Sequence, residues 1–137
     1  LKPVVPSVEK QAQWILQKQT ADNDYHMIIE NSSGDAIGII AVYDINKDLG
    51  TFDWGRWIID RDAPLYAGME SLTLVYHFAF NILKSRKTNF EVQKQNSRVL
   101  SIHRKYGAME TGEDEKFIYF SYSDEQFQKN QFLNSFI

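Results

Sequence analysis

The sequence predicts a mixed α/β (α+β) fold built on one twisted sheet, mostly antiparallel, with helices on both faces. Apolar or alternating segments separated by turn residues between positions 25 and 59 indicate three consecutive antiparallel strands. A long apolar helix pattern and then a short alternating segment follow, so a central strand–helix–strand unit requires one parallel crossover. A hairpin pattern completes the predicted sheet.

The composition is that of a single globular domain. With 137 residues the chain can form one core, and 43% hydrophobic and 24% charged residues are ordinary for a soluble protein. The sequence has no internal repeat and no linker. We therefore interpret residues 1–137 as one domain, in which residues 124–137 form a C-terminal tail.

Charge, cysteine count and hydropathy exclude several classes of function. A net charge of −3, from 15 basic and 18 acidic residues, provides no basic surface for nucleic acid. The absence of cysteine excludes disulfides and thiol catalysis and fits a cytoplasmic protein. The longest apolar run, from Ala36 to Tyr43, is too short to span a membrane. No signal peptide pattern is visible, and no spacing of His, Asp and Glu resembles a metal site.

The first half of the chain is predicted to form one helix and three strands. Two prolines favour an extended start up to Pro6, and Ser7 is a suitable N-cap for a helix over residues 8–18. Gly55 inside the third strand indicates a β-bulge or a close approach of other atoms to the backbone. The predicted strands cover residues 25–30, 36–45 and 51–59.

The second half alternates helices with short strands. Residues 68–83 are apolar on nearly all sides, which predicts a helix buried against the sheet. Asn96 or Ser97 caps a later helix, and Gly107 ends it in a left-handed conformation. The remaining predicted elements are a strand over residues 89–93, the helix over 97–106, a hairpin of 108–111 with 116–122, and a docked helix in the tail.

The stretch from Trp57 to Leu83 has the layout of an anion site. A strand ends at Ile59, a turn with Pro64 follows, and Gly68 lies near the start of the long helix. Free backbone N–H groups and the positive dipole end of such a helix favour an anion such as a phosphate. A single glycine is a weak signal, because most strand-to-helix turns bind no ligand.

Three segments carry a family resemblance: residues 55–59 with the turn and helix that follow them, residues 90–96, and residues 96–108. The last reads Asn-Ser-Arg-Val-Leu-Ser-Ile-His-Arg-Lys-Tyr-Gly-Ala and is the most specific. In this order the segments resemble the GNAT superfamily of acetyl-CoA-dependent N-acetyltransferases, over roughly Ala12 to Tyr122. The resemblance implies a GNAT-like fold, acetyl-CoA as co-substrate without a metal, and a chain that lacks the family's N-terminal strand and helix.

Two positions depart from the family pattern. The pyrophosphate loop of the family usually has a second small residue after its glycine, whereas here Gly68 is followed by Glu70 in that place. His103 occupies the position that commonly holds a catalytic tyrosine. A carboxylate near a pyrophosphate and a histidine acid are therefore the two features that a structure must explain.

The resemblance also implies the cofactor-binding residues. A backbone N–H near Ile58 or Ile59 is expected to polarise the thioester carbonyl, and the side-chain amide of Asn96 is expected to hold the pantetheine arm. Backbone N–H groups from Ala67 to Ser71 are expected to bind the pyrophosphate. The implied set is Trp57, Ile58, Ile59, Ala67, Gly68, Met69, Glu70, Ser71 and Asn96.

Acetyl transfer requires a neutral amine, a polarised carbonyl and a proton for the departing thiolate. The resemblance implies that His103 supplies this proton, as a charged imidazole or as a relay from water, with Tyr106 one turn later as an alternative. Asp53 is the candidate general base, and Asp44 remains an alternative to it. The predicted walls of the acceptor pocket are Tyr43, Phe52 and Trp54.

The predicted function is acetyl transfer from acetyl-CoA to a primary amine of a small molecule. Among the subgroups the chain looks most like the acetyltransferases of nucleotide-linked amino sugars, of the pseudaminic-acid type. The alternatives are acetylation of protein N-terminal amines and a non-catalytic module of the same fold. We expect no nucleic acid or membrane partner, and a monomer or homodimer in the cytoplasm.

Overall fold

The computed structural model of the chain describes residues 13–18, 24–63 and 65–130. Within them the chain forms seven strands, three α-helices and a π-helical segment. The elements are β1 (Gln13–Lys18), β2 (Tyr25–Glu30), β3 (Ala36–Asn46), β4 (Thr51–Ile59), α1 (Leu65–Tyr76), the π segment (His77–Ile82), β5 (Lys87–Gln93), α2 (Ser97–Tyr106), β6 (Met109–Glu113), β7 (Phe117–Ser123) and α3 (Asp124–Lys129).

The strands form one mixed sheet in the order β1-β2-β3-β4-β5-β7-β6. Every neighbouring pair is antiparallel except β4 and β5, which are parallel and are connected through α1. This confirms the predicted sheet with a central strand–helix–strand crossover. No helix among the described residues is long and apolar enough to cross a membrane.

β4 and β5 are joined at one end only. The two strands pair at Thr51 and Lys87, and the carbonyl oxygen of Gly50 accepts from the N–H groups of Arg86 and Lys87 at 2.6 and 3.1 Å. Beyond this point the strands diverge, whereas β3 and β7 stay paired along their outer sides. The divergence opens the sheet at the C-terminal end of β4.

Two β-bulges shape the pairing of β3 with β4. One lies on β4 between Gly55 and Ile58, where Arg56 has a positive φ of 51°; the other lies on β3 at Asp44, with φ of 48°. An extra residue in a strand reverses the alternation of its side chains. Trp54 and Trp57, three positions apart, therefore share one face, with their ring centroids 5.8 Å apart.

The bulge predicted at Gly55 is thus present, and so is the close approach. A Cβ on Gly55 would lie 2.8 Å from the hydroxyl of Tyr43. No side chain larger than hydrogen fits there unless the Tyr43 ring moves.

The core lies on the face of the sheet that carries the helices. The ring of Tyr76 contacts those of Phe80, Tyr106, Tyr122 and Phe127, with centroid separations between 4.6 and 6.1 Å. Residues of all three α-helices and of β2, β3 and β4 belong to the same buried cluster. The prediction placed helices on both faces, and the described helices occupy one of them.

The predicted N-terminal helix is wrong over residues 13–18, which form β1. These residues pair with β2 at six positions, among them Trp14 opposite Ile29. A short apolar run such as Trp-Ile-Leu does not separate helix from strand by its period, and bulky or β-branched side chains favour the strand. The extended start and the Ser7 cap lie outside the described residues.

The helix predicted over residues 68–83 begins three residues earlier, at Leu65. Its last part is the π segment, where the N–H of Leu83 donates to the carbonyl of Phe78, five residues before it, at 2.9 Å. The docked tail helix is confirmed for α3, whose Phe127 is fully buried against Tyr76 and Phe80. Residues 131–137 of the tail lie outside the described part.

Candidate active site

A cleft of about 330 Å³ lies where the sheet opens, between the end of β4 and the start of α2. Five of the nine predicted cofactor-binding residues lie on its walls. The lining residues are Trp57, Ile58, Ile59, Gly68, Asn96, Arg98, Val99 and Ile102. Residues predicted from three separate segments of the sequence are therefore brought together at one site.

The wall formed by β4 offers free backbone hydrogen-bonding groups. The N–H of Asp60 donates to the carbonyl of Ile37 on β3 at 2.7 Å. Because N–H groups alternate in direction along a strand, that of Ile58 also faces β3, and that of Ile59 faces the opposite edge. Along that edge β5 pairs only at Thr51, so the N–H group of Ile59 points into the opening. Of the two positions predicted for the polarising N–H, this geometry favours Ile59.

The first turn of α1 forms the second wall. Helical geometry leaves the first N–H groups, from Leu65 to Ala67, without intrahelical partners, and the N–H groups of residues 69–71 bond to carbonyls four residues earlier. Ala67 and Gly68 of the predicted anion set therefore lie at the helix start. The N–H groups of Met69, Glu70 and Ser71 lie inside the helix, because it begins three residues earlier than predicted.

Gly68 leaves space for a ligand beside Trp57. A Cβ at this position would lie 3.5 Å from Cζ2 of Trp57 and 3.8 Å from Cδ1 of Ile102, so the volume of one methyl group is open between three cleft residues. Arg98 connects the two walls, since its guanidinium donates to the carbonyl of Ala63, just before α1, at 3.3 Å.

Glu70 lies on the core side of α1 and is fully buried. Residues two positions apart in an α-helix are separated by about 200° around the axis, so Glu70 and Gly68 face different directions. The Glu70 carboxylate is close to Tyr106, whose pKa is raised first by burial and also by this charge. The unusual carboxylate thus points away from the cleft and into the contact between α1 and α2.

Asn96 begins α2 and lines the cleft. Its side-chain Oδ1 accepts from the backbone N–H of Val99 at 3.3 Å, which is the usual bond of an N-cap. The bond uses the carbonyl oxygen, and no described residue accepts from the Nδ2 group. One side chain can therefore cap the helix and still donate to a ligand.

His103 lies at the inner end of the opening, between the two diverging strands. Its ring contacts Trp54 of β4, Phe90 of β5 and Phe120 of β7, at centroid distances of 5.4, 4.5 and 5.6 Å. Burial in this aromatic surrounding lowers the pKa of His103 to about 3, so the imidazole is neutral at pH 7. Neither ring nitrogen has a hydrogen-bond partner among the described residues.

Tyr106 is buried and directed towards α1. Its hydroxyl is bonded to the carbonyl of Met69 and lies 2.9 Å from Oγ1 of Thr73. Its own backbone carbonyl accepts from the Tyr122 hydroxyl at 2.9 Å. The structure therefore gives Tyr106 an anchoring position in the core, and not one in the cleft.

The candidate base lies on the sheet face opposite the helices. Asp53 is exposed and stands across from Tyr43 in the β3–β4 register. The pKa of Asp53 is raised, first by partial burial and then by the neighbouring carboxylate of Asp44. The pKa of Tyr43 is raised by burial and by Asp53. Asp44 and Asp53, the two candidate bases, are therefore neighbours.

The three residues predicted to line the acceptor pocket do not lie on one face of the sheet. Phe52 is buried in the core, 5.4 Å from the ring of Phe80. Trp54, two residues on, shares that face and reaches His103. Tyr43 stands opposite Asp53 and therefore lies on the other face, because side chains alternate along a strand.

The sequence interpretation omitted Arg56, Arg98, Val99 and Ile102. Val99 and Ile102 could have been found from the predicted cap at Asn96, since they follow it at spacings of three and so share its side of α2. Arg56 had no such signal, because its direction depends on the bulge.

The residues of the cleft fit acetyl-CoA, the co-substrate that the resemblance implies. The free N–H group of Ile59 on the edge of β4 suits the amide groups of a pantetheine arm. The missing Cβ of Gly68 leaves room at the helix start. The buried Trp57 Nε1 and both nitrogens of His103 have no partner among the described residues, as expected for groups that a ligand would contact.

Comparisons with known proteins bear on the same site. A family model described as an acetyltransferase (GNAT) domain matches residues 2–109. The chain is 24% identical over 113 residues to the SPbeta prophage-derived uncharacterized N-acetyltransferase YokL of Bacillus subtilis (strain 168), covering 82% of this chain and 63% of YokL.

Solved structures share the fold. Apo FdhC, described as a nucleotide-linked sugar GNAT, is 33% identical with a TM-score of 0.74, covering 82% of this chain and 64% of FdhC. Spermidine N-acetyltransferase from Vibrio cholerae, in complex with CoA and spermine, is 15% identical with a TM-score of 0.69, covering 79% and 70%. At that identity the likeness shows the fold alone. The chain spans less than two thirds of the length of YokL and of FdhC.

Proposed function

Because the chain belongs to the GNAT acetyltransferase family, we propose that it transfers an acetyl group from acetyl-CoA to a primary amine. The observation that carries the proposal is the opening between β4 and β5, where the N–H group of Ile59 faces the cleft beside Gly68. A strand edge without a partner binds extended, amide-containing ligands by adding them to the sheet.

In this proposal each wall of the cleft binds a different part of acetyl-CoA. The first-turn N–H groups of α1, from Leu65 to Ala67, hold the pyrophosphate with the help of the helix dipole. Asn96 donates from Nδ2 to the pantetheine arm, and the edge of β4 orients it. Arg98, whose guanidinium already contacts the loop before α1, adds a positive charge near the phosphates.

Acetyl-CoA supplies a thioester whose carbonyl is open to attack by an amine. The N–H of Ile59 donates to the carbonyl oxygen, where negative charge develops. His103 donates an N–H to the sulfur of the departing thiolate. Because the imidazole is neutral at pH 7, it acts as a relay: one nitrogen gives its proton to the sulfur, and the other accepts, through a water molecule, the proton that the amine nitrogen loses after its attack.

Asp53 accepts the proton that the amine must lose before its attack, directly or through a water molecule. Its raised pKa makes it a better base than an isolated aspartate, because partial burial and then the neighbouring carboxylate of Asp44 disfavour its negative charge. We assign no reacting role to Tyr106, whose hydroxyl is bonded to Met69 and Thr73.

For the acceptor we propose a nucleotide-linked amino sugar. FdhC, described as a nucleotide-linked sugar GNAT, is 33% identical to the chain, whereas the spermidine acetyltransferases are between 13% and 16% identical. We also propose that the chain forms a single domain and acts in the cytoplasm as a monomer or homodimer.

The test combines binding with thiol release. Acetyl-CoA at a hundredfold excess over its Kd should stabilise the full chain by about 2.7 kcal/mol in thermal unfolding. A thiol reagent then follows CoA release with nucleotide-linked amino sugars, polyamines and N-terminal peptides, without background because the protein has no cysteine. Release with the amino sugars alone supports the full proposal. Absence of both protection and release would contradict acetyl transfer and leave a non-catalytic module.

A further inference from the structure

Arg56 is held in an unusual backbone conformation on the sheet face opposite the described helices. Its φ of 51° is left-handed, a region that is unfavourable for a residue with a side chain and that is concentrated at functional sites. The conformation belongs to the bulge on β4 that also brings Trp57 and Ile59 to the cleft. The backbone that shapes the acetyl site therefore also fixes the direction of the Arg56 side chain.

Two neighbours on the same face hold the guanidinium group. Its central carbon lies 4.4 Å from the centre of the Tyr43 ring, a stacking distance. Its Nη1 lies 2.8 Å from Nε2 of His26. A guanidinium only donates, so Nε2 is the acceptor of this bond. The stack and this bond orient the planar group, and none of its other N–H groups has a hydrogen-bond partner among the described residues.

The positive charge of Arg56 is not neutralised by an ion pair with any carboxylate of the described residues. The group is exposed. An oriented arginine with free N–H groups binds phosphate through two parallel hydrogen bonds, which a lysine cannot reproduce. The surface around it is thus suited to an oxyanion.

The position of Arg56 relates it to the acceptor. Asp53, the proposed base, lies three residues before it on β4, and both groups are close enough to Tyr43 to change the pKa of its phenol in opposite directions. An amine that reaches the acetyl group beside Asp53 therefore has the rest of its molecule near Arg56.

We infer that Arg56, stacked on Tyr43 and bonded to His26, binds a phosphate of the acceptor, so that the acceptor carries both an amine and a phosphate. This inference rests on the proposed acetyl transfer and deepens it. It favours a sugar linked to a nucleoside diphosphate over a polyamine, which has only positive charges. It also assigns a ligand-binding residue to the sheet face opposite the described helices.

The test uses thermal unfolding of the full chain with uridine or thymidine diphosphate. Saturating CoA is present so that the phosphate site of the cleft is occupied. The variants are Arg56→Gln, Arg56→Lys and, as a matched surface control, Arg104→Gln, which removes an exposed ion pair with Glu110. Wild type and Arg104→Gln should be stabilised by the diphosphate. Arg56→Gln should show at least about tenfold weaker apparent affinity, and Arg56→Lys an intermediate value.

Two results would overturn the inference: equal affinity in Arg56→Gln and wild type, or no stabilisation of the wild type. If Arg56→Gln does not fold, Arg56→Lys decides by the same comparison. Acetyl-CoA protection, measured separately on the same samples, tests the proposed function, so its failure would leave the comparison of diphosphate binding intact.

In the enzyme assay, Arg56→Gln should raise KM for the nucleotide-linked amino sugar about tenfold and leave kcat within about twofold. An unchanged KM would count against the subsite.

Discussion

The hydroxyl of Tyr106 donates a hydrogen bond to the backbone carbonyl of Met69 and so connects α2 to α1. Both helices border the cleft, through Ile102 and Gly68, so this buried bond contributes to the distance between its walls. The same carbonyl also accepts from Thr73 at 2.8 Å and keeps a partner if Tyr106 is changed.

Tyr106→Phe should therefore reduce stability more than catalysis. We expect the free energy of unfolding to fall by about 1–2 kcal/mol, the usual loss for a buried hydrogen bond. The rate of thiol release at saturating substrates should stay within about twofold. Urea denaturation and the thiol assay measure the two quantities. The exposed Tyr119, which donates to Asp114, is the control, because Tyr119→Phe should change stability less. A hundredfold loss of rate in Tyr106→Phe would instead assign the acid role to Tyr106.

Gly68→Ala should stabilise the protein and weaken its binding of acetyl-CoA. Alanine in a helix is favoured over glycine by about 1 kcal/mol, and the added Cβ meets Trp57 at an ordinary contact distance of 3.5 Å. The same methyl group occupies cleft volume. Urea denaturation and an acetyl-CoA titration measure the two effects. Gly112→Ala is the control for binding, because its Cβ meets no atom within 4 Å. Unchanged affinity in Gly68→Ala would place the co-substrate elsewhere.

The two roles of Asn96 can be separated by two substitutions. Asn96→Asp keeps an oxygen for the Val99 N–H and should leave stability unchanged or slightly higher, since a carboxylate suits a helix start. It removes the Nδ2 donor, so acetyl-CoA affinity should fall about tenfold. Asn96→Ala should lose the affinity and, in addition, about 1 kcal/mol of stability. Equal affinities in Asn96→Asp and wild type would exclude the amide contact with pantetheine.

Stability should depend on pH through His103. Its folded pKa of about 3 is below the ordinary value of 6.5 for an unfolded chain. Between these values the unfolded state binds more protons, so the contribution is fully present above pH 6.5 and is lost as the pH falls towards 3. Wild type should lose roughly 3–5 kcal/mol more than His103→Phe across this window. Urea denaturation at several pH values measures the difference, and parallel curves would mean that the imidazole is solvated.

His103→Phe also tests the proton relay. A phenyl ring preserves the contacts with Trp54, Phe90 and Phe120 but has no N–H. We expect kcat for thiol release to fall at least about tenfold, and acetyl-CoA affinity to change little. Unchanged kcat would show that the thiolate leaves without help from this residue.

The elements predicted correctly have local signals. The turns at residues 31–35 and 46–50 define β2, β3 and β4, and Asn96 and Gly107 define α2, because caps and turns depend on neighbouring residues. The strand β1 was missed because its identity depends on pairing with β2, which is separated from it in sequence. The start of α1 was placed late because Gly68 was interpreted as a turn residue and lies inside the helix.

The site residues that were predicted correctly also have local sequence signals. The cleft residues of β4 and Asn96 came from recognisable segments, but the opening itself depends on Gly50, which bonds to Arg86 and Lys87 far along the chain. The aromatic surrounding of His103 comes from three strands, so neither its burial nor its lowered pKa is visible in its neighbours in sequence. Phe52 and Tyr43 were placed in one pocket because the bulge at Asp44, which sets Tyr43 opposite Asp53, has no sequence signal of its own.

The single joint between β4 and β5 divides the sheet into two mechanical halves, β1–β4 and β5–β7, hinged near Gly50. Each half has its own ladder of hydrogen bonds, and among the described residues the two halves are connected by this pairing and by the helices. A ligand bound in the opening would form hydrogen bonds with one half and contact the other, and so would connect the two halves. Occupancy should therefore slow amide hydrogen exchange at Ile59 and make the two halves unfold as one unit.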